Sequence, residues 1–430
     1  MMIIFAEITE SNMQLKRKVI VPALVMALAC PTPSRAWDSR SLAPDIHTVQ
    51  VIRNGEWQEP PMLQLESDDM LEISFDAMTH EYRRFTYSIE HCNAEWKKSD
   101  LFESDYMDGF NNRPVDDYDI SRGTTVQYSH YTLSIPNEDV QIRISGNYLL
   151  SIRDDRDGST VAQVRFRVFE PIAGITASVT GNTDIDTRRS NQQLSVNVNY
   201  GSLRVSDPNR EIIVAVSQNS CDWATAYLYR PTYISGRTLQ YEHQKELIFP
   251  GGNEYRRFEI INMYDYTQGV DRLDWDDPYF HAQLLQDIPA RGYRYDNDHN
   301  GRFFIRNHEA YDSNTEADYL HVHFTLKSPR LDGGDIYIDG KFSGEKMDND
   351  NMMIYNPAHQ CYEGQMLLKQ GSYDFRYLWL PANSDKPETA KIEYDSFETG
   401  NEYRILVYYR ERGSRYDRLI GYSVIGDPDK

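Results

Sequence analysis

Apolar and polar residues alternate with a period of two through almost every readable segment of this chain. In "LEISFD", Leu71, Ile73 and Phe75 share a face, and in "RRFTYSIE" Phe85, Tyr87 and Ile89 do the same. The stretch "VQIRISGNYLLSIRDDRDGSTVAQVRFRVFEP" reads as three successive runs. These are Val140, Ile142, Ile144, then Tyr148, Leu150, Ile152, then Val164, Phe166, Val168, with "DDRDG" turning between the last two. Alternation broken by polar turns predicts antiparallel sheets packed on one face. No sustained 3.6-residue apolar pattern follows the N-terminal region. Turn signals recur roughly every 8 to 15 residues, the spacing of sandwiches rather than of βαβ units.

The expected fold class is therefore all-β, with three tandem Ig-like antiparallel β-sandwich domains. An N-terminal sandwich over 37–170 closes at "FEPIAGI", where Pro171 and Gly174 punctuate the chain. A middle sandwich over 171–310 contains "LSVNVNY" (194–200) and "EIIVAVSQN" (211–219). A C-terminal sandwich over 311–430 begins where a polar linker enters a strand with Leu320, Val322, Phe324 and Leu326 on one face. Its clearest expected hairpin is "DIYIDGKFSG" (335–344), with Asp339-Gly340 as a two-residue turn of positive φ.

Residues 1–36 have the layout of a secretory signal peptide. Lys16, Arg17 and Lys18 follow Met13, an apolar run extends from Val19 to Ala29 around Pro22, and "SRA" (34–36) offers a peptidase site after Ala36. The apolar run is about half the length a spanning helix needs. Met13 is read as the true start. Processing as a lipoprotein at Cys30 is the disfavoured alternative, because Ala27 stands where a leucine is usual. The reading places the protein in the periplasm.

The formal charge of -21 makes the chain a poor ligand for nucleic acid and for anionic lipid, so neither a nucleic-acid partner nor direct membrane insertion is expected. An outer-membrane barrel would need strands of about 10 residues with an apolar outer band. Many runs here are shorter, and the chain ends "GDPDK" rather than in an aromatic-terminated strand. The 31 tyrosines suit half-buried sheet surface, where a ring packs and a hydroxyl stays wet. Cys92, Cys221 and Cys361 are odd in number and far apart, which implies no disulfide framework. A Cys92–Cys221 bridge and three free thiols both remain open at this point.

Several clusters could carry chemistry. "YDNDHNGRF" places Asp296, Asp298 and Asn300 at positions 1, 3 and 5 of an EF-hand-like loop with Gly301 at 6, but Asn307 stands where the chelating carboxylate belongs. Turn chemistry is the preferred reading there. His321 and His323 share a strand face and could offer two metal nitrogens, with no third ligand evident nearby. "DWDDP" (274–278, with Asp276 and Asp277) and "PVDDYD" (114–119) concentrate carboxylates, which a glycosidase would need in a defined pair. Solvated loop charge is the preferred reading. Tyr373, Phe375, Tyr377 and Trp379 alternate in "YDFRYLWLP", either as a core face or as a platform for weak glycan contact. No G-x-S-x-G elbow or P-loop occurs. No catalytic, cofactor-binding or metal-binding residue is expected, no cofactor is called for, and no contact surface is assigned.

"FPGGNEYRRFEI" (249–260) tests the enzyme reading most directly. Gly251-Gly252 could open an anion cradle, and Glu254 beside Arg256 and Arg257 could form a catalytic constellation. A phosphate loop needs a helix after its glycines. Here the following residues alternate as a strand, and Pro250 keeps Phe249 extended. The stretch is read as a turn or bulge between strands, with Glu254 bracing it through Arg256 or Arg257.

The chain resembles the type IX secretion system plug proteins of Bacteroidota. The resemblance is carried by "SIEHCNAEWKKSDLFESDYMDGF" (88–110), "YSHYTLSIPN" (128–137), "SGNYLLSI" (145–152), "FPGGNEYRRFE" (249–259), "NGRFFIRN" (300–307), "ADYLHVHFTL" (317–326) and "LLKQGSYDFRYLWLP" (367–381). It implies a non-enzymatic plug that closes the periplasmic opening of a large outer-membrane translocon β-barrel when no cargo passes. The "DIYIDGKFSGE" segment also looks like Ig-like early-set modules found beside glycan-binding proteins, which leaves a carbohydrate-binding sandwich as the alternative.

Overall fold

The structure is a computed structural model that describes residues 39–426, Tyr266 excepted. The signal-peptide reading of 1–36, with Met13, Cys30 and Ala36, lies outside the described residues. The rest is all-β as expected, with helix confined to short pieces such as Glu103–Tyr106, Pro208–Glu211 and Ser313–Glu316.

Three large hydrophobic cores organise the chain. The first lies between two sheets. One joins Ser39–Ser41, Thr160–Phe169, Gly146–Asp154, Phe85–Cys92 and Arg113–Pro114, and the other joins Ile46–Arg53, Leu71–Ala77, Ser129–Ile135 and Asp117–Ile120. The alternating residues read from the sequence fill it: Ile73, Phe75, Tyr87, Ile89, Leu150, Ile152, Val164 and Phe166 are all buried. Ring packing fixes the centre, with Phe75 stacked on Tyr131 at 5.1 Å and Phe85 edge-on to both.

The second core depends on the far end of the chain. Its first sheet holds Gly174–Thr180, Asn191–Asn199, Thr238–Tyr241 and Tyr233–Ser235. Its second holds Thr225–Leu228, Ile212–Gln218, Tyr403–Tyr409 and Arg418–Ile425. Leu194, Val196 and Val198 from one face meet Val214, Val216, Ile405 and Val407 from the other. The third core is enclosed by a nine-stranded sheet that begins with Arg256–Ile260 and Gly371–Pro381 and ends with Tyr279–Leu284 and Val270–Asp276.

Sheet membership therefore departs from the expected boundaries. The division at 310/311 separates no sheets, because strands 256–260, 270–284 and 303–305 complete the third core. The last hairpin, expected in the C-terminal sandwich, completes the second. Alternation fixes which residues of a strand are buried, but a strand's partners are chosen by long-range packing that periodicity does not encode.

The expected two-residue turn at Asp339-Gly340 is not formed. Gly334–Asp339 does pair with Met352–Asn356, but a 3-10 turn at Lys341–Ser343 and a longer loop connect them. Asp339 is held by Arg376, whose Nε donates to it at 2.9 Å. Gly340 is extended, with φ 172°. A side chain there would press on Phe342 and on the Asp374 carbonyl, so the glycine serves close approach rather than a positive φ.

Cys92, Cys221 and Cys361 are unpaired and buried, which answers the disulfide question in favour of thiols. Burial pushes Cys92 up to about 11 and Cys221 up to about 12. Both thiols are expected to resist an aqueous thiol reagent in the native protein and to react once denaturant unfolds it. Native labelling of either one at the rate of a small free thiol would contradict this packing.

Candidate functional site

Small contacts and buried charges tie the three cores to one another. Between the first and third cores, Val126, Tyr128 and Tyr319 form a satellite cluster. Beside it, Asp76 from Leu71–Ala77 meets Lys369 from Cys361–Lys369, both completely buried. Lys369 Nζ donates to Asp76 Oδ2 at 2.7 Å and to the Asn314 carbonyl at 2.6 Å, and it lies 4.1 Å from the centre of the Tyr128 ring. Asp76 also accepts from His130 Nδ1 at 2.6 Å and from the Tyr319 hydroxyl at 2.6 Å. That hydroxyl in turn accepts from Thr48, 2.5 Å away.

Burial alone would raise the Asp76 carboxyl, but Lys369 and His130 hold it below its usual range. Burial pushes Lys369 down. The ammonium nonetheless faces a carboxylate, a carbonyl and an aromatic face, one partner for each of its three donors, so the pair is ionised.

The first and second cores meet over Met62, Ala94, Ala215, Leu406, Tyr408 and Leu419. Arg165 and Arg167 stack 4.4 and 4.7 Å from the centre of Trp96. Tyr408 donates to Asn147 Oδ1 at 2.8 Å, and the Ala94 amide donates to Asp417 Oδ2 at 2.8 Å. Trp96 sits in the "NAEW" turn, with φ 63°.

The second and third cores meet at "FPGGNEYRRFEI". Ile248–Pro250 belongs to a sheet of the second core, and Arg256–Ile260 to the sheet of the third. The two glycines are the crossing. Asn401 Nδ2 donates to the Gly251 carbonyl at 2.7 Å, while Thr399 Oγ1 and the Ser396 amide each donate to the Gly252 carbonyl at 2.8 Å. Glu254 is buried and accepts from the Tyr293 hydroxyl at 2.8 Å and from the Gly400 amide at 3.1 Å. The expected brace through Arg256 is not what Arg256 does. Its guanidinium grips Glu393 through Nε and NH2 at 3.0–3.1 Å and reaches Asp287 at 2.6 Å. Tyr377 donates to the same aspartate at 2.8 Å. Burial lifts Asp287 above the usual carboxylate range even with Arg256 beside it.

The other expected sites resolve as follows. Asp298 accepts from the Tyr255 and Asn300 amides, Asp296 accepts from the Asn297 amide, and Asn300 and Gly301 take left-handed conformations. These carboxylates are turn braces. Asp276 and Asp277 lie at an exposed hairpin tip, and the carboxylates of "PVDDYD" at positions 116, 117 and 119 are exposed on an edge. Tyr373, Phe375, Tyr377 and Trp379 are all core residues, which removes the platform on which glycan contact rested. His321 and His323 are half-buried beside a neighbour the sequence did not reveal. Parallel pairing of Tyr279–Leu284 with Tyr319–Leu326 brings His281 Nδ1 to 2.8 Å from His323 Nε2. Burial and the adjacent histidine push both His321 and His323 down. A histidine at strand parity in "YFHAQL" was the only available signal.

Two predictions follow from these junctions. Lys369→Met leaves the buried Asp76 with His130 and Tyr319 but without its ammonium, and should cost about 3–5 kcal/mol in urea unfolding. Adding Asp76→Asn should recover a large part of that loss, whereas strict additivity would refute a coupled pair. At the crossing, a Cβ on Gly251 would lie 1.9 Å from the Ser396 carbonyl oxygen, while Gly252 has open space and φ +64°. Gly251→Ala should therefore abolish folding or destabilise severely, and Gly252→Ala should cost only about 1 kcal/mol. Comparable melting temperatures for the two variants would count against this crossing geometry.

Residues 46–170 match the family described as "Type 9 secretion system plug protein 1st domain". No curated protein matches the sequence. Among solved structures, a crystal structure of a hypothetical protein from Parabacteroides merdae is similar at 39% identity with a TM-score of 0.89. The similarity covers 91% of this chain and 99% of that one, so the two share an overall fold. The matched 46–170 segment holds the whole first core together with Asp76 and Trp96, the residues through which that core docks on the others. The chain belongs to the type IX secretion system plug protein family.

Proposed function

We propose that this chain is a non-enzymatic plug that closes the periplasmic opening of the large outer-membrane translocon β-barrel when no cargo is passing. The family match supports a role in type IX secretion. The observation that carries the finer reading is the joining of three cores by buried contacts, the Asp76–Lys369 ion pair among them. A seal must present a fixed surface against a wide opening, and a chain of loosely linked sandwiches would not. The Asp76–Lys369 pair resists hinge motion between the first and third cores, because opening that junction would strand both charges. Function of this kind asks for shape and a separable interface rather than a nucleophile and base.

The export signal read from residues 1–36 supports a periplasmic location, with outer-membrane association through the partner. Purification of the tagged full chain from envelope membranes in mild detergent tests the reading. A large outer-membrane barrel protein should co-purify, and deletion of the chain should admit large hydrophilic antibiotics. An envelope that stays equally tight, with no barrel recovered, would overturn it.

A further inference from the structure

The tip of the hairpin formed by Met352–Asn356 and Cys361–Lys369 carries three different donor atoms at close quarters. His359, Cys361 and Glu363 each direct one potential ligand atom into a space where all three lie within 4.8 Å of one another. His359 Nδ1 is 3.0 Å from Glu363 Oε1, and Cys361 Sγ is 3.5 Å from the same oxygen. Strand register explains the convergence. Cys361 pairs with Asn356 at the end of the ladder, Glu363 follows two residues later on the same face, and the reversal at 357–360 folds His359 back over both. Asn356 Oδ1 fixes that reversal by accepting from the Ala358 and His359 amides at 3.0 and 3.3 Å.

We propose that this hairpin tip is a binding site for a divalent cation of borderline softness, of which zinc is the type. Imidazole nitrogen, thiolate sulfur and carboxylate oxygen are the three donor classes that such an ion accepts, with bonds of about 2.0–2.3 Å. Tetrahedral ligands at those lengths stand roughly 3.3–3.7 Å apart. The separations of 3.0 and 3.5 Å need shifts of only a few tenths of an ångström, and the His359–Cys361 pair, within 4.8 Å, closes through rotation of the exposed imidazole. His359 and Glu363 are exposed and Cys361 is buried, so the sulfur forms the floor and the fourth position opens to water. On binding, the metal–sulfur bond replaces the S–H bond and one proton passes to solvent. His359 binds through the Nδ1 lone pair with its proton on Nε2. The site is independent of the plug reading.

Cobalt(II) is the probe, because its complexes with a thiolate absorb in the near ultraviolet. Titration of the full chain should give one equivalent bound with a sulfur-to-metal charge-transfer band, and zinc should displace it. Cys361→Ser should remove the band, and His359→Ala and Glu363→Gln should each weaken binding by tenfold or more. Far-ultraviolet circular dichroism should match the wild type, since two of the three side chains project from an exposed turn. His281→Ala with His323→Ala should leave the titration unchanged, which separates this site from the histidine row. Absence of saturable uptake up to about 1 mM cobalt would overturn the proposal. Uptake that survives both Cys361→Ser and His359→Ala would overturn it equally.

Discussion

The contact between Asp76 and Lys369 joins strands 293 residues apart in sequence, with both side chains buried. An ion pair of this kind contributes little net stability over an apolar pair of the same shape, because both charges lose their hydration. Its effect is on alternatives. Any docking of the first core on the third that is shifted by one residue leaves an ammonium, a carboxylate or both without partners in a dry interface. The correct docking is separated from near misses by several kcal/mol, far more than the small apolar cluster of Val126, Tyr128 and Tyr319 would provide by itself.

The three junctions also differ in chemistry. The first-to-third junction is ionic and saturated. The first-to-second combines a small apolar cluster with hydrogen bonds from Tyr408 to Asn147 and from the Ala94 amide to Asp417. The second-to-third is mainly backbone, with Asn401, Thr399 and Ser396 reading the carbonyls of two glycines. This last arrangement explains why a glycine pair followed by polar residues stands out in the sequence. A side chain at Gly251 would block the approach that makes the crossing, and Gly252 supplies the left-handed φ that turns the chain there.

How much was legible in the sequence follows from parity. Residues of inward parity such as Ile73, Phe75, Tyr87 and Ile89 are core, as their alternation predicts. Asp76, Arg165, Arg167 and Asp374 have the opposite parity, which alone suggests a wet face, yet each is at most 3% exposed. The face is covered by another core, and one-strand periodicity contains no term for that. Arg256 offered a local clue, since it shares its parity with Phe258 and Ile260 and a lone charge among inward positions must have a buried partner. The partners, Glu393 and Asp287, lie 137 and 31 residues away and were not identifiable. The turn at Asp339-Gly340 was misread for a related reason: the dipeptide is used by Arg376 and by close packing rather than by the chain reversal.

The placement of the closing hairpin has a consequence for biogenesis. Ile212–Gln218 finds one neighbour locally, in Thr225–Leu228, but its other edge is paired by Tyr403–Tyr409. A chain synthesised from its N-terminus delivers the first strand long before the last. Throughout that interval the middle sheet carries a bare, apolar edge of Ile212, Val214 and Val216. Such an edge is a template for pairing with other chains. The middle of the molecule therefore depends on its own final segment, and on whatever shields the waiting edge until that segment arrives.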